Sequence, residues 1–504
     1  MFRKVLIANR GEIACRIAVT LREMGIESVA VCSEADRSAL HTREADQTIE
    51  IGAAEPRASY LDGVALIRAA RTSGAQAIHP GYGFLAENAA FAAAVEQEGL
   101  AFIGPTPEQI RSMGDKRAAR ELAASLGVPV VPGATGSTPF ELAAAARKLG
   151  YPVLVKAALG GGGKGMCVVD NAAELTEAVE SATRLAQSAF GDGAVYLEKC
   201  LVRPRHVEVQ VMGDGRGGAI HLFERECSLQ RRHQKVIEES PSPAVNETLR
   251  ERLTFAAIAL TQAVRYRGAG TIEFLLAADG AFYFLEMNTR LQVEHPVTEW
   301  VTGQDLVRRQ LEIAAGGALP AQSSIELRGH AIEARVYAED AAHGFLPQAG
   351  SLARVSWPRA PFVRVDRGVE SGDAVPLHYD PILAKLIGWG EHRERALERL
   401  SQALDESRVH GVITNLPFLR ALVRSEAVKH GRFDTEWIER EFLVGFAALA
   451  AAPVPEALPA AAALAELLGA TSSAEGSAGG TRSNGRGAAD PFAELGPWRL
   501  PGLE

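Results

Sequence analysis

The sequence predicts an α/β protein that begins with a doubly wound parallel sheet, and two observations support this. Short apolar segments at Val5–Ala8, Ser28–Cys32 and Ala75–Ile78 have the length and residue types of buried strands. Between the first two, Ile13–Met24 is an amphipathic segment with helical spacing. Strands that alternate with helices are typical of a parallel sheet, and such a sheet binds ligands beyond the carboxyl ends of its strands.

Two glycine-containing turns follow predicted strands at that ligand-binding edge. They are Asn9–Glu12 and His79–Asn88. Neither matches the G-x-G-x-x-G pattern of dinucleotide-binding proteins, so the sequence disfavours an enzyme that uses a nicotinamide cofactor. The alternative for each turn is a tight bend that needs glycine for conformational reasons alone.

The rest of the chain divides by composition. A smaller α/β segment extends over 129–201, and residues 204–330 are rich in strands and charged side chains. Residues 330–446 mix strands and helices, with glycines that provide breaks. After Phe446 the chain is rich in Ala and Pro, then in Ser, Gly and Ala, and it lacks apolar periodicity. That composition predicts a linker or tail over 447–504 that is mostly disordered.

The composition excludes several classes of protein. Hydrophobic residues make up 47% and charged residues 23% of the chain, as in ordinary soluble globular proteins, and no apolar run approaches the ~20 residues that span a bilayer. The chain enters a strand directly without a signal-peptide pattern, so we expect a cytoplasmic protein with no membrane partner. A net charge of −9 disfavours a nucleic-acid partner. The five scattered cysteines never form CxxC, which predicts reduced thiols and no zinc site.

A β-hairpin is predicted between Thr271–Leu276 and Phe282–Asn288. Both segments are rich in aromatic and branched residues, and the Asp279-Gly280 pair between them is a strong turn signal. We expect Asp279 and Gly280 to form a two-residue turn, which fixes how the strands pair. A three-residue loop would break this register.

The predicted pairing places two carboxylates together. Glu273 lies opposite Glu286, and Asn288 lies opposite Thr271, with the Cβ atoms of opposed residues ~4.5–5.5 Å apart. Two such carboxylates repel each other by roughly 3 kcal/mol at an effective dielectric constant near 20, unless a cation neutralises them. Two Glu and an Asn carbonyl suit Mg2+ or Mn2+. An exposed polar hairpin face is the alternative.

The hairpin is followed by three polar residues at alternate positions. Arg290, Gln292 and Glu294 share one face if the segment is extended, and we expect His295-Pro296 to end it. An Arg and a Gln can hold a planar oxyanion while a Glu acts as a base. The alternative is a polar strand face without a ligand.

Lysine usage indicates phosphate chemistry. The chain has nine lysines among its 53 basic residues, and five of them (Lys116, Lys156, Lys164, Lys199 and Lys235) lie in the segments discussed here. The loop Gly160–Gly165 could expose backbone N–H groups to a phosphate, although it lacks the P-loop pattern. It is interpreted as a mobile lid over a nucleotide, with a flexible turn as the alternative. Arg231, Arg232, His233 and Lys235 place four basic side chains within five residues, and a solvated charged strand is the alternative to a ligand-binding segment there.

Seven motifs occur in a fixed order along the chain. They are Ala8–Ala14, His79–Asn88, Met113–Lys116, Gly160–Met166, Cys227–Lys235, Glu286–Val297 and His378–Pro381. Together they resemble the biotin carboxylase family of the ATP-grasp superfamily, over residues 1 to about 445. The resemblance implies an N-terminal domain over 1–113, an ATP-grasp core over 114–329 with a mobile lid over about 131–202, and a mixed α+β domain over 330–446.

The resemblance also implies roles for individual residues. Those implied to bind ATP are Lys116, Lys156, Gly161, Gly162, Gly163, Lys164, Glu198, Lys199, Leu201, His206, Gln230, His233 and Leu275. Those implied to bind metal, with two ions of Mg2+ or Mn2+ expected, are Glu273, Glu286 and Asn288. Those implied to bind bicarbonate are Lys235, Arg290, Gln292 and Val293, with Glu294 as the base. Arg335 would stabilise the biotin enolate, and Tyr82 would lie near biotin.

The implied reaction has two steps. Bicarbonate attacks the γ-phosphate of ATP to give carboxyphosphate, which then releases CO2 beside biotin for transfer to its N1′ atom. No methionine is followed by Lys, so the biotin would be carried on another domain or protein. The implied partners are that carrier and a carboxyltransferase subunit, with a homo-oligomer expected. Two departures from the family pattern, Leu159 in the glycine loop and Gln348, remove no implied catalytic group.

Three alternatives remain open. The chain could be another ATP-grasp ligase, such as a carbamoyl-phosphate synthase or a purine-pathway carboxylase, or it could be the biotin carboxylase part of a pyruvate carboxylase. A non-catalytic scaffold subunit is disfavoured because every implied catalytic position is filled. The segment Asp490–Leu500 resembles the one that follows this domain in α chains of acyl-CoA carboxylases. The sequence does not identify the acyl-CoA acceptor.

Overall fold

The computed structural model describes residues 1–136, 138–157, 166–190 and 193–450. The chain forms one unit over Met1–Ala448 and a second over Leu449–Glu504. The predicted tail over 447–504, apart from its first four residues, lies outside the described residues. Within the described ranges, no helix has both the length and the hydropathy to cross a membrane.

The N-terminal part is the predicted parallel sheet with helices around it. Its elements are β1 (Lys4–Ile7), α1 (Gly11–Glu23), β2 (Glu27–Ser33), α2 (Leu40–Glu44), β3 (Gln47–Gly52), α3 (Gly63–Ser73), β4 (Ala77–His79), α4 (Ala89–Gln97), β5 (Ala101–Phe102), α5 (Pro107–Gly114) and α6 (Lys116–Ser125). The strand order is β3-β2-β1-β4-β5, and all neighbouring strands are parallel. The side chains of Leu6 and Ile7 are completely buried because helices cover both faces.

The next part is a small antiparallel sheet with two helices. It contains β6 (Gly133–Thr135), α7 (Pro139–Leu149), β7 (Val153–Ala157), β8 (Met166–Val169), α8 (Leu175–Phe190) and β9 (Val195–Lys199), with strand order β6-β9-β7-β8. Its apolar residues form a core of their own. These elements lie within the segment 129–201, for which the sequence predicts a smaller α/β unit.

An eight-stranded antiparallel sheet forms the centre of the molecule, in the order β14-β13-β10-β11-β12-β15-β22-β20. Its strands are β10 (Arg205–Asp214), β11 (Ala219–Arg231), β12 (Gln234–Ser240), β13 (Arg267–Leu276), β14 (Phe282–Asn288), β15 (His330–Tyr337), β20 (Val363–Arg367) and β22 (Ile382–Gly390). Since β12 pairs with β15, the predicted boundary at 329/330 falls inside one continuous sheet.

Helices and short strands complete this part. The helices are α9 (Glu247–Ala263), α10 (His295–Thr302), α11 (Leu306–Ala314), α12 (Arg393–Glu406), α13 (Leu416–Arg424), α14 (Glu426–Lys429) and α15 (Leu443–Ala450), with a π-helical turn at Ile438–Phe442. The short strands are β16 (Glu339–Asp340), β17 (Leu346–Pro347), β18 (Gly350–Ser351), β19 (Arg354–Ser356), β21 (Ala374–Val375) and β23 (Arg408–His410). The sheet and its helices bury a large apolar cluster that extends from Leu229 to Phe446.

Candidate active site

A cavity of about 950 Å3 is lined by side chains of both the four-stranded and the eight-stranded sheet. Eighteen of the predicted site residues line it: Lys116, Lys156, Glu198, Lys199, Leu201, His206, Gln230, His233, Lys235, Glu273, Leu275, Glu286, Asn288, Arg290, Gln292, Val293, Glu294 and Arg335. Tyr82, which the structure also describes, does not line it. Gly161, Gly162, Gly163 and Lys164 lie outside the described residues.

The hairpin β13–β14 places Glu273 opposite Glu286, as predicted. Its turn differs from the prediction. The N–H groups of Ala277 and Gly280 donate to the carbonyls of Ala281 (2.8 Å) and Ala277 (3.0 Å). Residues 278–280 therefore form a three-residue loop, not the predicted two-residue turn. Gly280 has a φ of +81°, the left-handed conformation that such loops require.

A β-bulge restores the predicted pairing. With a three-residue loop alone, Leu285 would face Glu273. The pairing jumps from Phe274–Phe284 to Glu273–Glu286, so Leu285 is an extra residue on β14. Two one-residue deviations thus cancel. Without the bulge, the slip would turn the Glu286 side chain to the opposite face of the sheet.

The two opposed carboxylates each contact an ammonium group. Lys235 Nζ lies 3.0 Å from Glu273 Oε1, and Lys116 Nζ lies 2.9 Å from Glu286 Oε2. Asn288 donates from Nδ2 to Glu273 at 2.8 Å. Burial would raise the pKa of Glu273, but the charges of Lys235 and His206 outweigh burial and hold that pKa well below its usual range. Glu273 is therefore ionised.

Lys235 is the central cation of the cavity. Its Nζ atom donates to Glu208 at 2.6 Å, to Glu273 at 3.0 Å and to Glu294 at 2.6 Å. Burial alone would lower the pKa of Lys235, but the acidic groups around it raise that pKa well above its ordinary value. The ammonium therefore stays charged and carries all three donors toward carboxylates.

The segment that carries Arg290, Gln292 and Glu294 is not extended, which corrects the prediction. After Thr289 the chain forms a bend and a turn, and His295 begins helix α10, so Pro296 lies in the first turn of a helix and does not end a strand. Proline is favoured there because its missing N–H has no intrahelical partner. The three side chains nevertheless line the same cavity.

Each carboxylate oxygen of Glu294 has its own cation. Lys235 Nζ lies 2.6 Å from Oε1, and Arg335 Nη2 lies 3.0 Å from Oε2. Burial would raise the pKa of Glu294, but the charge of Lys235 lowers it, with help from Arg335. Glu294 is thus ionised and can accept a proton.

Two further polar side chains lie close to Glu294. Arg290 donates to Glu87 at 2.9 Å and to Asn288 at 3.0 Å, and Gln292 donates to Glu273 at 2.9 Å. Together with Lys235, they surround a small polar space with hydrogen-bond donors. Such an arrangement can hold a small planar anion.

The far end of the cavity contains a second group of cations. The Lys156 ammonium pairs with Glu198, which Arg120 also contacts at 2.9 Å. Lys199 donates to the carbonyls of Gly150 (2.8 Å) and Tyr151 (3.0 Å), so its ammonium stabilises the turn before β7. This end therefore provides positive charge for a polyanionic ligand, and the apolar residues Leu154 and Val168 also line the cavity.

Tyr82 lies half-buried beside helix α1, outside the cavity lining. Its hydroxyl donates to Glu12, and its backbone carbonyl accepts from Asn9 Nδ2 at 2.7 Å. The turn Asn9–Glu12 and the turn that contains Tyr82 are thus held together, as expected for adjacent parallel strands.

Two buried residues at this site were not predicted from the sequence. Glu208 on β10 pairs in register with Glu273 and also contacts Lys235. Arg225 on β11 is completely buried, and its guanidinium donates to Glu208 at 2.6 Å. The alternation of His206, Glu208 and Gln210 along one face of β10 was the signal that could have found Glu208.

Three family models match the chain. The biotin carboxylase N-terminal domain matches residues 1–110, the ATP-binding domain of the carbamoyl-phosphate synthase L chain matches 115–322, and the biotin carboxylase C-terminal domain matches 333–440. Together they cover most of the described residues.

Curated relatives are about half identical to the chain. The α subunit of mitochondrial methylcrotonoyl-CoA carboxylase from Dictyostelium discoideum is 50% identical over 86% of this chain and 63% of its own length. Biotin carboxylase of Pseudomonas aeruginosa is 49% identical over 88% of this chain and 99% of its own length. A pyruvate carboxylase subunit of Methanothermobacter thermautotrophicus is 49% identical over 87% and 90%. The chain thus spans less than two thirds of the methylcrotonoyl-CoA carboxylase relative.

Solved structures share the architecture. Biotin carboxylase from Campylobacter jejuni, in a β,γ-ATP complex, has a TM-score of 0.85 and 44% identity over 88% of this chain and 99% of its own. The biotin carboxylase domain dimer of 2-oxoglutarate carboxylase from Hydrogenobacter thermophilus, in complex with MgADP, ADP and bicarbonate, has a TM-score of 0.84 and 42% identity over 88% and 98%.

Proposed function

The chain belongs to the biotin carboxylase family of ATP-dependent ligases, and we propose that it uses ATP and bicarbonate to carboxylate biotin held on a carrier. The observation that supports this most strongly is the arrangement around Glu294. Lys235 and Arg335 contact its two carboxylate oxygens at 2.6 and 3.0 Å, and Arg290 and Gln292 lie beside it. A base and four donors thus surround a space for one small anion.

Bicarbonate is the anion that suits this space. It is planar, it accepts from Arg290, Gln292 and Lys235, and it has one proton to lose. Glu294 is ionised and would accept that proton. In the free protein, the charges of Lys235 and Arg335 lower the basicity of Glu294. A bound anion would attract these two cations away from Glu294, so the basicity of Glu294 would rise when bicarbonate binds.

ATP would occupy the other end of the cavity. Lys116 and Lys156 line that end beside Glu286 and Glu198 and would pair with phosphate oxygens once ATP displaces those carboxylates. Fixed positive charge that faces a transferring phosphoryl group is the main contribution proteins make to such reactions. Leu201 and Leu275 also line the cavity, and their apolar side chains would contact the adenine ring of ATP.

The residues present fit a divalent metal ion. Glu273, Glu286 and the Asn288 side-chain oxygen form an all-oxygen donor set of the kind that Mg2+ or Mn2+ prefers. Without a bound metal ion, the ammonium groups of Lys116 and Lys235 neutralise the two carboxylates. These three residues would hold the ion, or two ions. A bound ion would neutralise negative charge on the phosphates of ATP.

Biotin would approach from the side of Arg335. This guanidinium contacts Glu294 and Glu238 and would stabilise the enolate form of biotin, with Tyr82 nearby. Because the chain lacks a Met-Lys pair, a separate carrier domain or protein would deliver the biotin. A carboxyltransferase would then use the carboxybiotin.

The acceptor class is proposed from the relatives. Several relatives are α subunits of methylcrotonoyl-CoA carboxylase, which favours an acyl-CoA carboxylase with this chain as its ATP-dependent part. The relation to the pyruvate carboxylase of Methanothermobacter thermautotrophicus supports pyruvate carboxylase as the second candidate. We further propose a cytoplasmic homo-oligomer.

The decisive experiment is ATP cleavage that depends on bicarbonate and is stimulated by free biotin, with no acyl-CoA present. We expect the wild-type chain to show this activity and Glu294→Gln to lose at least about a hundredfold of it, because removing a general base costs about 10²–10⁴-fold. Nucleotide binding should persist in the variant. Glu27→Gln, which changes an exposed glutamate paired with Lys4, serves as the control with unchanged activity.

Two results would reject the proposal. A wild-type chain that cleaves ATP equally well without bicarbonate and biotin would indicate a different ATP-grasp ligase. A chain that binds ATP but cleaves none would indicate the scaffold alternative.

A further inference from the structure

Lys385 lies in the interior of the eight-stranded sheet with no exposed surface. On β22 it pairs in register with Arg335 of β15 on one side and with Asp366 of β20 on the other. A buried ammonium costs several kcal/mol unless its donors are satisfied. A lysine in this position therefore requires hydrogen-bond acceptors or carboxylates around its ammonium group. These acceptors show which parts of the chain the lysine connects.

The partners of Lys385 come from three different elements. Its Nζ atom forms an ion pair with Glu12 of α1 at 3.1 Å and faces Asp366 at 3.6 Å. It also donates to the backbone carbonyl of Val293 at 2.9 Å. The ammonium thus joins the N-terminal helix α1 to the turn that precedes α10.

The Val293 carbonyl belongs to the peptide group that leads into Glu294. The side chain of Glu294 is held by Lys235 and Arg335, whereas its backbone is held by Lys385. Movement of this peptide would move the base relative to its two cations, so Lys385 contributes to the geometry of the base without touching the cavity.

On its other side, Lys385 leads to Tyr82. Glu12 accepts from the Tyr82 hydroxyl through Oε1 and pairs with Lys385 through Oε2. Burial raises the pKa of Glu12 to about 7, and the Lys385 charge opposes that rise. The positive charge of Lys385 therefore favours the ionised form of Glu12. A continuous polar chain runs from Tyr82 through Glu12 and Lys385 to Val293.

We propose that Lys385 is a positioning residue that couples Tyr82, on the biotin side of the site, to the turn that carries the base Glu294. This rests on the proposed function. The coupling is specific: the chain of contacts reaches the anion and biotin ends of the site, while the lysines expected to bind ATP lie outside it. Loss of Lys385 should weaken bicarbonate use and leave ATP use unchanged.

The test compares four full-length variants in bicarbonate-dependent ATP cleavage with free biotin: Lys385→Met, Tyr82→Phe, the double variant and Lys4→Met. Lys4 is a partly exposed strand lysine paired with Glu27, so Lys4→Met is the control and should match the wild type. We expect Lys385→Met to raise the bicarbonate KM about tenfold, and Tyr82→Phe about threefold, with the ATP KM within about twofold. The double variant should resemble Lys385→Met, because residues in one network are not additive.

Several outcomes would overturn the coupling while the wild type remains active. These are an unchanged bicarbonate KM in Lys385→Met, equal rises in both KM values, or additive effects in the double variant. If Lys385→Met fails to fold, Tyr82→Phe alone decides: a raised bicarbonate KM supports the chain of contacts, and an unchanged one refutes it. A wild type without bicarbonate-dependent cleavage refutes the proposed function instead.

Discussion

Two histidines of the N-terminal part, one at the end of β4 and one in α2, are buried as neutral side chains. His79 ends β4, and its Nδ1 accepts from the N–H of Gly81 at 3.1 Å. His41 accepts from Gly11 and lies against the carbonyl of Val31 at 3.2 Å. Burial lowers the pKa of His79 to about 3 and that of His41 to about 4. In the unfolded chain both would titrate near pH ~6.5.

This difference predicts a pH dependence of stability. Above pH ~6.5 neither state binds the proton, and as the pH falls toward the folded pKa the unfolded state binds it first. The free energy of unfolding should therefore fall by about 1.4 kcal/mol per pH unit for each histidine. Urea unfolding of His79→Gln between pH 7 and 5 should show a slope shallower by about 1 kcal/mol per pH unit, because the unfolded chain is only partly protonated near pH ~6.5, whereas the exposed His410→Gln should keep the wild-type slope. Equal slopes in His79→Gln and the wild type would contradict this assignment.

Among single residues, the motifs identified the side chains that line the cavity but not those that hold them in place. Lys235 and Glu294 were identifiable from their motifs. Glu208, Arg225 and Lys385 were not, because the residues beside them in the sequence do not show what they contact, whereas long-range strand pairing does. Their partners lie far away along the chain.

Among the elements, the hairpin β13–β14 shows how a correct site can follow from an incorrect turn. Asp279-Gly280 correctly predicted a turn, and the aromatic segments correctly predicted strands. The loop length and the bulge at Leu285 depend on how the strands twist against β10 and the core, which local residue types do not specify. Local residue types also leave the structure around Pro296 undecided, because a proline fits both the end of a strand and the start of a helix.

The loop also yields a stability prediction. An added Cβ at Gly280 would meet no described atom within 4 Å, so the cost of a side chain comes from its positive φ alone. Gly280→Ala should lower the free energy of unfolding by about 1–2 kcal/mol, and Gly280→Asn by less, because Asn tolerates the left-handed conformation. Gly445→Ala, in helix α15 with similarly open space, should instead raise stability by up to about 1 kcal/mol. Urea unfolding measures all three, and equal effects of Ala and Asn at 280 would argue against backbone strain.

Across the whole molecule, buried ion pairs connect parts that the sequence presents as separate. Arg16 of α1 contacts Glu299 of α10 at 2.8 Å and Asp305 at 2.9 Å, and Glu299 also pairs with Arg364 of β20 at 2.7 Å. These ion pairs thus connect helix α1, helix α10, which follows the base Glu294, and the edge strand β20 of the eight-stranded sheet. Composition and periodicity predicted the separate parts, but not the sheet that continues past residue 330.

The second unit should be dispensable for the chemistry. Every described residue that lines the cavity lies at or before Glu439, inside the unit Met1–Ala448. A chain that ends after Ala450 should therefore retain bicarbonate-dependent ATP cleavage within about twofold of the full chain, since none of the described contacts of the site is removed. Circular dichroism and the cleavage assay test this together. A folded but inactive shortened chain would show that residues 451–504 contribute to the reaction.

The compensated hairpin has a consequence for protein engineering. Twelve residues separate Glu273 from Glu286, and this number satisfies either a two-residue turn with regular strands or the observed longer loop with one bulge. The segment between Glu273 and Glu286 can therefore be replaced by other sequences of the same length. Grafts of the same length should keep the carboxylates opposed when they form a two-residue turn with regular strands or a three-residue loop with one bulge, but not when they form a three-residue loop without a bulge. Grafts one residue longer or shorter should keep them opposed only when the turn length or the number of bulges also changes by one.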